Sequence, residues 1–125
     1  MGTSHASRRD ELVTALGPER APAERLAASL GLAALELAAG DLGEALVRWD
    51  TALRLASELA DAVAQARASA GLAMTLALRH EHERAAALLT IARILGAQDE
   101  GHTARLELVA AEIDLLAGHA EEAQA

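Results

Sequence analysis

Leu26, Leu30, Leu35 and Leu37, with small residues between them, spread an apolar surface along a segment that begins at Pro22 and stops before Gly40. Pro suits the first turn of a helix, where its missing N–H costs nothing, and Gly suits the position just past the end. The pattern predicts a helix over 22–39. The next segment shows a polar face instead, with Glu44/Arg48, Asp50/Arg54 and Arg54/Glu58 four residues apart. That spacing sets opposite charges on one side of a helix, worth about 0.3 kcal/mol per pair. Asp41 can cap this helix, with Glu44 at its third position completing a capping box, so it covers 42–59. Asp61 starts a further helix over 62–79. Another spans 82–95 and ends at Gly96, and Asp99 starts one over 99–117 that Gly118 ends. Ser7-Arg8-Arg9-Asp10 reads as a capping box for a first helix over 7–16, stopped by Gly17-Pro18. Glu121-Glu122-Ala123 opens a seventh. Connections this short force antiparallel neighbours and leave no room for a linker, which predicts one domain over 1–125.

One block returns along this pattern. Ala39-Gly40-Asp41-Leu42-Gly43-Glu44-Ala45 recurs as Arg79-His80-Glu81-His82-Glu83-Arg84-Ala85, and more faintly as Ala117-Gly118-His119-Ala120-Glu121-Glu122-Ala123. A fixed period of about 40 residues is the mark of stacked helical pairs, which build binding surfaces more often than active sites. The units are about 24–60, 61–97 and an incomplete 99–125.

Composition sharpens the fold class. Hydrophobic residues make up 52% of the 125, mostly Ala and Leu, with one Trp and no Phe or Tyr. Closely packed helices suit such a core, and the scarcity of β-branched residues disfavours strands. The expected class is all-α. The net charge of −8, the lack of a basic stripe and the lack of stacking aromatics argue against nucleic-acid binding. Cysteine is absent, so thiolate metal sites and disulfides are excluded. No uncharged apolar run reaches the roughly 18 residues needed to span a bilayer, and the first ten residues lack a signal peptide's apolar stretch. The expectation is a cytoplasmic protein without membrane partners. All basic residues are Arg, and Lys and Asn do not occur, a usage that points to a GC-rich bacterial genome such as an actinobacterial one.

Within each unit a small residue follows Leu in the first helix, a Gly-Asp turn comes next, and the second helix carries Ala, a large apolar residue four on, and Ala three further. The residues are Leu32-Ala33, Gly40-Asp41, Ala45, Trp49 and Ala52, then Leu72-Ala73, His80-Glu81, Ala85, Leu89 and Ala92. The third copy has Ala110-Ala111, Gly118-His119 and Ala123. This pattern resembles the tetratricopeptide repeat (TPR) over about residues 24–125, with two departures: a period nearer 40 than 34, and Ser57 and Ala97 in place of the terminal Pro. The phrase from Ala52 to Asp61 looks like the longer repeats of bacterial, including actinobacterial, regulators.

The resemblance implies a right-handed α-solenoid of about six antiparallel helices. Its concave groove would be lined by Leu30, Ala34, Leu37, Arg67, Ala70, Met74, Ala77, Arg105, Leu108, Glu112 and Leu115. Ala27 belongs to the same register. Such a groove would hold a peptide or helix of a protein partner, with Arg67 and Arg105 steering a carboxylate. The carboxylate clamp of chaperone-binding relatives needs Lys and Asn, which this chain lacks. Three alternatives stay open: helix 1 or another subunit fills the groove, the chain is a self-associating structural module, or the groove is a pocket for a small molecule or an unrecognised reaction. The truncated seventh helix would leave Leu106, Val109, Ile113 and Leu116 uncovered, a face suited to a homodimer.

No catalytic or metal-binding residues are expected, and no cofactor. His80 and His82 are two apart, which does not put two ligands on one helical face, and they fall in a predicted surface turn. His102 and His119 fall near helix starts. Paired acids such as Asp99/Glu100 and Glu121/Glu122 suit helix N-termini. No strained nucleophile turn and no Gly-rich phosphate loop occurs. The chain reads as a non-catalytic regulatory or scaffold module.

Overall fold

The computed structural model describes residues 5–96 and 100–124, and the side chains of residues 7–96 and 106–118. Six helices account for nearly all of it: α1 His5–Ala15, α2 Pro22–Ala38, α3 Leu42–Glu58, α4 Ala62–Leu78, α5 His82–Leu95 and α6 Glu100–Gln124. No strand occurs among the described residues.

Three turns set the cadence. Left-handed residues stand at Gly40 (φ +82°), Ala60 (φ +53°) and His80 (φ +65°), at twenty-residue intervals. Each turn makes the same pair of backbone hydrogen bonds. The Gly40 N–H donates to the Leu37 carbonyl and the Asp41 N–H to the Glu36 carbonyl, at 3.0 and 2.9 Å. Ala60 and Asp61 repeat this onto Ser57 and Ala56, and His80 and Glu81 onto Ala77 and Leu76. This is the Schellman ending, which satisfies carbonyls the helix leaves unpaired. The second residue of each ending also heads the next helix. Asp41 Oδ1 accepts from the Glu44 N–H at 3.4 Å, and Asp61 Oδ1 from the Ala64 N–H at 3.0 Å. Glu81 is one methylene longer and does not cap. Its carboxylate pairs with Arg79 and Arg84 instead, at 3.6 and 2.9 Å. Only glycine adopts a left-handed φ without cost, so Ala60 and His80 hold strain that the paired hydrogen bonds outweigh.

Two sequence expectations about the termini are overturned. Ser7 lies inside α1, which begins at His5, so Ser7-Arg8-Arg9-Asp10 is not the start of that helix. Gly118 lies inside α6, which runs on to Gln124, so no seventh helix forms. His119 follows Gly118 where Asp41, Asp61 and Glu81 follow the three turns. A Gly inside an Ala- and Glu-rich helix costs about 1 kcal/mol, less than breaking the helix and nucleating another. Asp99, expected to open α6, lies outside the described residues.

Packing is sequential. Each helix lies on its neighbours in the chain, and α4 also touches α2 and α6. Two large core clusters result, beside a smaller one that joins Leu12 of α1 to Ala28 and Leu32 of α2. One joins Leu26, Leu30 and Ala33 to Ala45, Trp49 and Ala52 and to Ala64, Ala68 and Leu72. The other joins Ala70, Ala73 and Ala77 to Ala85, Leu89 and Ala92 and to Leu106, Ala110 and Ile113. Each buried Leu contributes about 1.5–3 kcal/mol relative to leaving it in water.

α2 and α4 share a phrase that the repeat comparison passes over: Ser29-Leu30-Gly31-Leu32-Ala33 and Ser69-Ala70-Gly71-Leu72-Ala73. Ser29, Ala33, Ser69 and Ala73 are fully buried. Each glycine is the seat of the preceding odd-numbered helix. Leu12 of α1 lies over Gly31 and Trp49 of α3 over Gly71. A further contact joins α1 to the rest. Glu36 is 1% exposed, and its Oε1 lies 3.2 Å from Arg9 of α1 and 3.6 Å from Arg48 of α3.

Candidate partner-binding groove

Three clefts open along α2, α4 and α6, and they share residues. The first, about 490 Å³, sets Ala23–Gly31 of α2 beside Val63, Ala64 and Arg67 of α4. The second, about 190 Å³, sets Leu37 and the Arg67–Met74 stretch of α4 beside Leu106 and Val109 of α6. The third, about 470 Å³, sets Leu37, Met74 and Leu78 beside Glu112, Leu115 and Leu116. Arg67 belongs to the first two, and Leu37 and Met74 to the last two. The clefts are therefore stations along one trough.

Their order fixes direction. Advancing along α4 from Val63 to Leu78 advances along α2 from Ala23 to Leu37, and along α6 from Leu106 to Leu116. The three helices run parallel in one row. Among the described residues the backbones of the odd helices do not meet one another, being separated by the row. At about 1.5 Å rise per residue, the trough follows α4 for about 22 Å.

Its lining is mostly apolar, with charge at separate stations. Arg67 is exposed between the first and second clefts, and Glu112 is exposed at the third. Neither makes an ion pair among the described residues. Arg8 reaches the first cleft but pairs with Glu11 at 3.5 Å. Met74, half-buried at the junction of two clefts, is a flexible and polarizable wall that can adjust to different apolar shapes.

The expected groove residues divide. Leu37, Arg67, Met74, Glu112 and Leu115 come together in the trough. Leu30 and Ala70 border it, but both are core residues. Ala77 does not reach it: it is 1% exposed, packed with Ala85 and Leu89. Ala34 is exposed on α2 and Leu108 on α6, yet neither lines any of the three clefts. The side chain of Arg105 lies outside the described residues, as do those of His102 and His119. Val63 and Leu78 were missed. They follow from Arg67 and Met74 by one helical turn, and their equivalents in α2, Ala23 and Ala38, are too small to draw notice.

The expected uncovered face is a correction. Leu106 and Ile113 are 1% and 4% exposed and belong to the core, with Val109 and Leu116 packed against it. That side of α6 faces α4 and α5. Helix α1 does not fill the trough either. Leu12, Ala15 and Leu16 pack on Ala28, Leu32 and Leu35, another side of α2.

The His80 and His82 rings meet edge to face at 6.0 Å, and Glu81 between them is held by its two arginines. Among the described residues no group of three or more His, Cys, Asp or Glu side chains is placed to hold a metal ion, and no helix is long and apolar enough to cross a membrane. No family model matches the chain, and neither a curated protein nor a solved structure is detectably similar to it.

Proposed function

We propose that the chain is a non-catalytic, TPR-like right-handed solenoid that binds a peptide or helix of a partner protein in the trough along α2, α4 and α6. The observation that carries this reading is the sharing of Arg67, Leu37 and Met74 between successive clefts, which makes a continuous apolar path with isolated charges. A path of this shape suits a chain segment better than a compact small molecule. Arg67 receives an acidic group of the ligand and Glu112 a basic one. The module serves a regulatory or scaffolding role in a bacterial cytoplasm.

The test is selection of ligands from a displayed library of random peptides, followed by binding assays on Met74→Glu, Leu78→Glu and the double variant. Both positions are at least partly open to solvent, so the fold should tolerate the changes. Selected peptides should share apolar residues with an acid to one side, and lose at least about tenfold in affinity on Met74→Glu, since a buried unpaired charge costs more than 1.4 kcal/mol. Peptides that bind the double variant as well as the parent, with helicity unchanged by circular dichroism, would overturn the reading.

A further inference from the structure

α2 carries Leu30, Ala33 and Leu37 on the side that receives α3, where they meet Ala45, Trp49 and Ala52. α4 carries Ala70, Ala73 and Ala77 on the side that receives α5, where they meet Ala85, Leu89 and Ala92. The α2 phrase recurs in α6 as Leu108, Ala111 and Leu115, with the same residue types at the same spacing. There it is open. Leu108 is 69% and Leu115 60% exposed, and Ala111 is exposed between them. The opposite side of α6, through Leu106, Ala110 and Ile113, is already sealed in the core. So α6 repeats, residue for residue, a strip that in α2 holds a helix.

The two filled strips define the shape of the occupant. Both are covered by a helix presenting small, large and small residues at i, i+4 and i+7: Ala45, Trp49, Ala52 in one, Ala85, Leu89, Ala92 in the other. Small residues at the ends let the helices approach closely, and the large one fills the space between. The rim of the open strip defines the charge. Glu107 and Asp114 flank it on one side and Glu112 on the other, all exposed. Among the described residues only Glu107 has an ionic neighbour, Arg93 at 3.8 Å. A second copy of α6 on this strip would set acid against acid, against a single Arg105 per chain in the same segment.

We propose that the outer strip of α6 docks an amphipathic helix of another protein, with Ala-x3-large-x2-Ala spacing on its apolar face and basic residues along both flanks. This strip shares Leu115 and Glu112 with the third cleft of the trough, whereas Leu108 and Ala111 line none of the three clefts, so Leu108 separates the proposal from the reading above.

The probe is a labelled peptide with the sequence of α3, Leu42–Glu58, in two forms: unchanged, and carrying Glu44→Lys, Asp50→Lys and Glu58→Lys. Fluorescence anisotropy should show the lysine form binding the full chain at least about tenfold more tightly, with the advantage lost at about 0.5 M salt. Leu108→Glu should abolish binding and leave helicity and melting temperature unchanged, whereas Met74→Glu with Leu78→Glu should leave it intact. Three results overturn the proposal. Binding that survives Leu108→Glu means that the peptide displaces α3 internally. Light scattering that finds a dimer dissolved by the same variant assigns the strip to a second copy. Failure of both peptides to bind removes the occupant argued from α3 and α5.

Discussion

The seats at Gly31 and Gly71 lie in the same five-residue phrase, yet they hold their helices differently. A methyl added at Gly71 would fall within 2.6 Å of Trp49 Cζ2, a rigid ring wedged in the core. The same methyl at Gly31 would lie 3.1 and 3.2 Å from the two terminal methyls of Leu12, which can rotate. Trp49 is wedged between two helices, α2 and α4. Leu12 packs on α2 alone, and α1 depends on a short apolar cluster and the Arg9–Glu36 pair. A local phrase thus makes a close approach possible, while the depth of the surroundings decides how firmly it is used.

The contrast can be broken first at its stronger seat. Trp49→Ala should destabilise the fold by about 3–5 kcal/mol, the range for emptying a large aromatic site, measured by urea denaturation followed by circular dichroism. Gly71→Ala should cost about 2–3 kcal/mol because the indole cannot move aside. Gly31→Ala should stay within about 1 kcal/mol of the parent, since the helix gains what glycine loses in entropy while Leu12 shifts. Equal losses at the two glycines would refute the contrast.

Glu36 sharpens the comparison further, because α4 carries Leu76 at the matching position, 2% exposed in the core. Glu36→Leu should be neutral or stabilising by about 1 kcal/mol. It removes a buried carboxylate while Arg9 and Arg48, both partly exposed, turn to water. Glu36→Ala should be the worse substitution, adding a cavity. If Glu36→Leu instead destabilised the chain by as much as Glu36→Ala, the ion pairs would be the main tie on α1. The smallest effects belong to the turns. Ala60→Gly and His80→Gly should each raise stability by about 0.5–1 kcal/mol and Gly40→Ala lower it by about 1, read as shifts in the thermal midpoint.

Much of the helical layout was legible because it is local. Gly40, Asp41, Asp61 and Gly96 act within one turn of themselves, and their side chains and φ preferences mark the boundaries directly. Ser7 and Gly118 misled because the same residue types also occur inside helices when no stronger signal stops the chain. The site was half legible. Arg67, Met74 and Glu112 were found, since polar and flexible residues stand out against Ala and Leu. Leu30 and Ala70 line the trough while also belonging to the core, Ala77 was misassigned, and so was the buried side of α6. These helices are apolar on more than one face, and periodicity alone cannot say which face a neighbour covers. Leu106 and Leu108 are both apolar, and only the packing of α4 and α5 tells the inner from the outer.

The three turns contain no slack. Two residues follow each helix before the one that heads the next, and that residue belongs to both the ending and the start. One extra residue would separate the two hydrogen bonds that close a helix from the residue that heads the following one, and would rotate every later face by about 100°. Changes in chain length are therefore tolerated at the ends or in whole helices, not by single residues within. In this architecture length is counted in helices, and a frame-preserving insertion that is harmless in an ordinary surface loop would here misalign everything downstream.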